Sequence, residues 1–334
     1  MKAVRVPDAG AEFEVVDMNV PEPGPGEVRI AVEACGICHS DVFVKEGQFP
    51  GIDYPRVPGH EVVGRVDAIG EGVNAWDDGQ RVGVGWHGGH CFSCEPCRRG
   101  DFISCKNGQV TGIASDGGYA EYMTAPAEAV AAVPDDLESA AAAPLMCAGI
   151  TTYNALRNAG AKPGDLVAVQ GVGGLGHLGI QYAHAAGFET VAVSRGTDKR
   201  DLAMDLGADH YVDSEAEDPG EALVELGGAR IVLATAPNTD AIESVVSGLG
   251  VDGEVLAVGI PGEPVEVSVQ DLVMGRRSVA GWPSGDARDS QDTLEFSALR
   301  DIEPMIESYP LEEAADAYER MLSNDARFRV VLEP

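Results

Sequence analysis

Lysine is scarce in this chain. Only five of its 334 residues are lysine, at Lys2, Lys45, Lys106, Lys162 and Lys199. In all, 23 basic residues face 55 acidic ones, giving a formal net charge of −32 at pH 7. A deficit of positive charge this large excludes a nucleic-acid partner, because a phosphate backbone requires a basic footprint. The acidic residues are scattered along the whole chain, which argues against a disordered acidic tract. The expectation is a protein of a salt-loving organism, whose self-repulsion is screened when the Debye length shrinks from about 10 Å at 0.1 M salt to about 3 Å at 1 M. The unfolding midpoint is then expected to rise as KCl is raised to molar concentration, and a midpoint that stays flat or falls contradicts this reading.

Long apolar runs are also lacking. The longest, around Ala140 to Ile150, is broken by Pro144, so no segment is expected to span a bilayer. The opening residues Met1 to Arg5 lack the charged and apolar regions of a signal peptide. A cytoplasmic, reducing setting follows, in which clustered cysteines are metal ligands before they are disulfides. Cysteine itself is rare, with seven in the chain, yet four of them fall within fifteen positions.

At this length two domains are the default. Residues 1 to 135 read as short strands separated by glycine and proline, for example Glu27 to Glu33, Glu61 to Ile69 and Arg81 to Gly85, a β-rich, barrel-like pattern. From about Ala140 to Gly160 the chain is alanine-rich and reads as helical, interrupted by Pro144. Strands and helices then alternate. Leu166 to Gln170, Thr190 to Ser194, Ile231 to Ala234, Glu254 to Gly259 and Ser278 to Gly281 read as strands, with helices over Gly176 to Gly187 and Asp198 to Leu206. That alternation implies an α/β fold with a doubly wound parallel sheet. Beyond Pro283, helices over Ser290 to Arg300 and within "PLEEAADAYERM", and a strand over Phe328 to Leu332, complete the reading.

Cys91, Cys94, Cys97 and Cys105 have the spacing Cys-x2-Cys-x2-Cys-x7-Cys. Four thiolates at such intervals can close a tetrahedron around one Zn²⁺ with no open position, a structural site, although the set also suits an iron–sulfur cluster. A second motif lies in "VAVQGVGGLGHLG", where Gly171-x-Gly173-x-x-Gly176 follows an apolar strand and opens a helix. Gly171, Gly173, Gly174, Leu175 and Gly176 are there the candidates for holding a dinucleotide pyrophosphate at a helix N-terminus. Enzymes that use NAD place Asp or Glu at the end of the next strand to bind the ribose 2′-hydroxyl. Here Ser194 stands at that position, followed by Arg195, with Lys199 beyond. Loss of the carboxylate and gain of arginine favour a 2′-phosphate, hence NADP, with NAD as the alternative.

"CGICHSD" (Cys35 to Asp41), "PGHE" (Pro58 to Glu61) and "PLMCAGITTY" (Pro144 to Tyr153), taken with the cysteine lobe and the glycine-rich turn, resemble the zinc-dependent alcohol dehydrogenases of the medium-chain dehydrogenase/reductase family. The resemblance runs essentially the full length. It implies a GroES-like β-rich catalytic domain over residues 1–150 and 286–334, with the structural zinc lobe at about 86–106, and a Rossmann cofactor domain over 151–285. It further implies two zincs per chain. The catalytic zinc falls on Cys38, His60 and Cys147 with an open fourth position, an arrangement general for alcohol dehydrogenases. Asp41 corresponds to the carboxylate behind the ligand histidine, Glu61 to an acidic residue behind the metal, and Ser40 to the hydroxyl that takes the alcohol proton.

A histidine that relays this proton in many members is replaced by Phe43. His39, Thr151 and Arg329 correspond to further cofactor contacts, and Phe49 and Trp86 to the walls of an apolar substrate pocket. The implied reaction is reversible hydride transfer between a primary or secondary alcohol and NADP or NAD. The alternatives are a polyol, cinnamyl-type or formaldehyde dehydrogenase of the same family, or a non-catalytic nucleotide-binding protein on this fold. A small-molecule alcohol or aldehyde is the expected partner, and a homodimer or homotetramer the expected assembly.

Overall fold

The computed structural model describes residues 1–323 and 325–334. It divides into two compact units, Met1–Ile150 with Gly285–Pro334, and Thr151–Ser284.

The first unit is built on a seven-stranded sheet. Its path runs Ile306–Pro310, Arg329–Glu333, Glu27–Ile37, Val62–Ile69, Arg81–Val84, Val130–Ala132, and Tyr122–Pro126 also pairs with Glu27–Ile37. Glu27–Ile37 alternates half-buried and buried residues over most of its length, as a strand with one face on a core should. Val28, Ile30 and Val32 point into a core shared with Val62, Val66, Val82, Tyr119 and Met123. The last four residues, Ala34 to Ile37, are buried on both faces. Pairing is antiparallel on both sides, Leu332 with Cys35 and Cys35 with Val62. The chain that leaves the strand after Ile37 and the chain that enters at Val62 therefore meet at one sheet end, and Arg329 starts its strand there too. This register brings Cys38, His60 and Glu61 together.

The helical reading of Ala140 to Gly160 resolves into three pieces: a helix Ser139–Ala142, a 3₁₀ turn Ala143–Met146 and a helix Ala148–Asn158. Pro144 sits in the 3₁₀ turn, where its missing N–H costs least. The turn presses on the strand Arg81–Val84. A Cβ at Gly83 would come within 2.8 Å of Met146 Sδ, and one at Gly85 within 2.6 Å of the Met146 carbonyl. Bare backbone at these two positions lets the turn deliver Cys147.

The second unit is a six-stranded, all-parallel sheet in the order His210–Asp213, Glu189–Ser194, Leu166–Gln170, Ala229–Ala234, Leu249–Ala257, Ser278–Gly281. Leu166–Gln170 is buried at every residue, as a central strand covered on both faces must be. The strand His210–Asp213 is polar enough to escape a reading by hydropathy. The expected helix over Asp198 to Leu206 begins later, at Arg200, because the preceding residues form a turn. Among the described residues no helix is long and apolar enough to cross a membrane.

Candidate active site and cofactor turn

The cysteine lobe contains little regular structure, a four-residue helix Glu95–Arg98 and turns. Thiolates about 2.3 Å from a shared centre stand roughly 3.8 Å apart in a tetrahedron. The Sγ atoms are 3.4 Å (Cys94–Cys97), 3.6 Å (Cys91–Cys105) and 3.8 Å (Cys94–Cys105) apart. Backbone N–H groups of Cys94 and Asn107 point at Cys91 and Cys105, each at 3.4 Å. Hydrogen bonds led by the Ser93 hydroxyl hold the Cys91 thiol down at about 5. The set fits one tetrahedral ion. His87 and His90 stand outside it. Their rings stack, with His90 Nδ1 3.2 Å from His87 Nε2, and His90 packs on Phe102.

The second group lies at the sheet end described above. Cys38, His60, Glu61 and Cys147 offer ligand atoms that all lie within 4.8 Å of one another. Cys38 and Cys147 Sγ are 3.9 Å apart, again near the edge of a thiolate tetrahedron. Cys147, His60 and Arg329 hold the Cys38 thiol well below its usual range against the opposing effect of burial. His60 Nδ1 lies 3.1 Å from Asp41 Oδ1, while its Nε2 is buried with no hydrogen-bond partner. With Nδ1–H donated to Asp41, the lone pair sits on Nε2, which is what a metal ligand requires. An orphaned buried nitrogen beside two thiols fits Zn²⁺.

Asp41 is 1 % exposed and accepts three hydrogen bonds. Besides His60, the Cys38 N–H donates to its Oδ2 at 2.9 Å and the Tyr119 hydroxyl donates to the same oxygen at 2.9 Å. Tyr119 is fully buried, 78 residues away in sequence, and nothing in its local pattern marks it. It seats over Gly59, where a Cβ would lie 2.5 Å from the Tyr119 ring and 2.8 Å from Cys35 Sγ. Cys35 is thus packing beneath the site and is not in the ligand group. Replacing Tyr119 by Phe removes one of the three donors that fix Asp41. Loss of such an outer partner lowers metal affinity about 10- to 100-fold. Chelator competition on Tyr119→Phe is expected to strip the catalytic ion faster than from the parent chain, and equal rates contradict that role.

Glu61 is fully buried, with Oε1 on the Arg329 guanidinium and Oε2 without a partner. Burial pushes its carboxyl up to about 7 against the pull of Arg329. A Cβ at Gly36 would fall 1.9 Å from Glu61 Oε2, so a side chain there would force Glu61 to move. Arg329, expected from the resemblance to contact the cofactor, is buried; it pairs with Glu61 and also donates to the Ile37 carbonyl at 3.3 Å. His39 and Ser40 occupy the 3₁₀ turn His39–Asp41 directly after Cys38, His39 exposed and Ser40 partly so.

Phe49 and Trp86 meet edge to face at 6.4 Å, and Trp86 stands 5.0 Å from the His60 ring. Phe43 completes the group, at 6.4 Å from Phe49 and 6.5 Å from Trp86. The position read only as a missing relay thus packs in one aromatic cluster with Phe49 and Trp86.

In the second unit, Gly171 has φ +95°, and a Cβ at Gly176 would lie 1.7 Å from the Gly171 carbonyl. Around a Cβ built at Gly173 there is nothing within 4 Å, so open space lies where a pyrophosphate would approach. Gly174 and Leu175 lead into the helix Gly176–Ala185. Lys199 Nζ donates to the Val172 carbonyl in this same turn at 2.8 Å. Ser194 ends its strand, and Arg195 follows, exposed. Thr151 is buried in the helix Ala148–Asn158.

Comparison with known proteins bears on both units. A family model described as "Alcohol dehydrogenase GroES-like domain" matches residues 24–135, and one described as "Zinc-binding dehydrogenase" matches 174–299. "Alcohol dehydrogenase patD" of Penicillium expansum is 44% identical over 97% of this chain and 94% of its own. An "Alcohol dehydrogenase" of Geobacillus stearothermophilus is 38% identical over 100% of this chain and 99% of its own. The solved structure of "CAD from Helicobacter pylori complexed with NADP(H)" superposes with a TM-score of 0.88 at 27% identity, covering 99% of this chain and 97% of that one.

Proposed function

The chain belongs to the zinc-binding alcohol dehydrogenases of the medium-chain dehydrogenase/reductase family, and we propose that it interconverts small apolar alcohols with aldehydes or ketones, using NADP in preference to NAD. The observation that carries the reading is the group of buried Cys38, half-buried Cys147 and the buried, unpartnered His60 Nε2, with an aromatic cluster beside it.

Cys38, His60 and Cys147 would hold the catalytic Zn²⁺, which when bound supplies a Lewis acid that makes an alcohol hydroxyl acidic near neutral pH. Asp41 keeps the His60 ring in one tautomer and one orientation. Ser40, partly exposed and two residues after Cys38, would accept the alcohol proton. Phe43, Phe49 and Trp86 exclude water and select an apolar carbon skeleton. Glu61, held by Arg329, stands beside the thiols with its Oε2 unpartnered. Cys91, Cys94, Cys97 and Cys105 would hold the structural Zn²⁺. Gly171, Gly173 and Gly176 admit the pyrophosphate, and Arg195 pairs with the 2′-phosphate of NADP where Ser194 leaves no carboxylate to repel it.

A cytoplasmic setting fits seven cysteines that form no disulfide. Exposed Ile260, Val269, Val273 and Met274, together with the open edge strand Ser278–Gly281, favour a homo-oligomer, a point for light scattering to decide.

Arg195→Asp tests the cofactor assignment. A charge-assisted hydrogen bond contributes about 1.5–3 kcal/mol, or roughly 10- to 150-fold. The KM for NADP⁺ is expected to rise by about that factor while the KM for NAD⁺ stays level or falls. An unchanged KM for NADP⁺ contradicts the assignment.

A further inference from the structure

The turn that carries Arg195 is fastened from the neighbouring strand. Ser194 ends the strand Glu189–Ser194, and Gly196 follows at φ +66°, a left-handed turn that suits glycine. Two side chains of the strand His210–Asp213 hold both backbone groups of Gly196. The Tyr211 hydroxyl donates to the Gly196 carbonyl at 2.7 Å, and Asp213 Oδ1 accepts from the Gly196 N–H at 2.7 Å. The same Asp213 oxygen accepts from the Glu215 N–H at 3.0 Å, and the Ser214 N–H closes on the Ser194 carbonyl at 3.0 Å. Arg200, one turn further on, lies over the Tyr211 ring with its guanidinium carbon 5.9 Å from the centroid.

What these contacts leave free is the Arg195 side chain. Many arginines of this acidic chain hold a carboxylate, among them Arg29, Arg56, Arg99, Arg276 and Arg320. Among the described residues Arg195 has no such partner, although Asp198 and Glu215 belong to the same turn region. A cation left unpaired amid an excess of anions, on a backbone fixed on both sides, is arranged for an anion from outside the chain.

We propose that Tyr211 and Asp213 are positioning residues for cofactor discrimination: by clamping Gly196 they hold Arg195 where it can grip a 2′-phosphate. This rests on the NADP assignment above. Neither residue touches the reacting atoms. Both act through the backbone on one arginine, so their removal weakens NADP⁺ and leaves NAD⁺, which lacks the phosphate, nearly untouched.

The experiment is steady-state kinetics with NADP⁺ and NAD⁺ on the zinc-replete chain and on Arg195→Ala, Tyr211→Phe, Asp213→Ala, Asp213→Asn and the double variant Arg195→Ala/Asp213→Ala. Loss of one well-made hydrogen bond is expected to raise the KM for NADP⁺ about tenfold in Tyr211→Phe and Asp213→Ala, with kcat and the KM for NAD⁺ within about twofold. Asp213→Asn keeps an acceptor for the Gly196 N–H while removing a negative charge, so it is expected to restore NADP⁺ binding. In the double variant, Asp213→Ala should add nothing once Arg195 is gone. If Arg195→Ala does not weaken NADP⁺, the cofactor assignment itself fails. If Arg195→Ala weakens NADP⁺ but Tyr211→Phe and Asp213→Ala do not, the clamp is overturned and the assignment stands. A parallel rise in both KM values, or tighter NADP⁺ binding in Asp213→Ala through lost repulsion, also overturns the clamp.

Discussion

A Cys38→Ser chain is expected to lose alcohol-dependent reduction of NADP⁺ by well over the roughly hundredfold that follows loss of an outer partner of a metal ligand. Cys38 is 7 % exposed and sits at the end of the strand Glu27–Ile37, so serine fits the space with little strain. What disappears is the thiolate that Cys147 and His60 stabilise. Zinc content should fall from two ions per chain to one, because the lobe at Cys91 to Cys105 is a separate group. Binding of NADP⁺, followed by fluorescence titration, should persist, since the glycine-rich turn belongs to the other compact unit. A chain that keeps both ions and most of its rate would remove Cys38 from the site. A chain that loses NADP⁺ binding as well would point to misfolding, and the milder Tyr119→Phe variant then carries the test.

The second large effect belongs to the lobe. Structural zinc sites contribute apparent binding free energies of about 10–16 kcal/mol that are also folding free energies. The segment Cys91 to Cys105 has only one four-residue helix, and Phe92, at φ +55°, is 59 % exposed. It has too little apolar burial of its own to stay folded without the ion. Cys94→Ser is therefore expected to release one zinc and open the loop locally. Trypsin should cut after the exposed Arg98, Arg99 or Lys106 at rates far above those of the parent chain. The sheets lie outside the loop, so secondary structure by circular dichroism should change little. Resistance to trypsin equal to the parent's contradicts a metal-folded lobe.

Much of this was legible in the sequence, for identifiable reasons. The cysteine lobe announced itself by spacing, because four ligands of one ion lie within a single loop. The strand Leu166–Gln170 and the glycine-rich turn were legible because an all-apolar strand followed by glycines has few other uses. Cys38, His60 and Cys147 are 22 and 87 residues apart, and only resemblance joined them; the structure adds why they meet, an antiparallel register at one sheet end. Tyr119 was invisible because its hydrogen bond to Asp41 spans 78 positions. Phe43 was read only as an absence, and its packing against Phe49 and Trp86 joins residues too far apart in sequence for local pattern to show. The strand His210–Asp213 was missed because two of its four residues are ionisable and a third is a tyrosine; it is an edge strand, where pairing rather than burial decides the conformation. Its Tyr211 and Asp213 side chains hold both backbone groups of Gly196, so the element least visible to hydropathy fixes the turn that follows the strand Glu189–Ser194.

The central claim is that this chain oxidises alcohols at a cysteine–histidine zinc site with NADP⁺ as acceptor. The most direct measurement is the initial rate of NADP⁺ and NAD⁺ reduction, side by side in molar KCl, across primary and secondary alcohols, on protein shown to carry two zincs. The account predicts turnover with small apolar alcohols and a higher kcat/KM with NADP⁺. A higher kcat/KM with NAD⁺, or no rate with any alcohol and either cofactor in that zinc-replete protein, would contradict it.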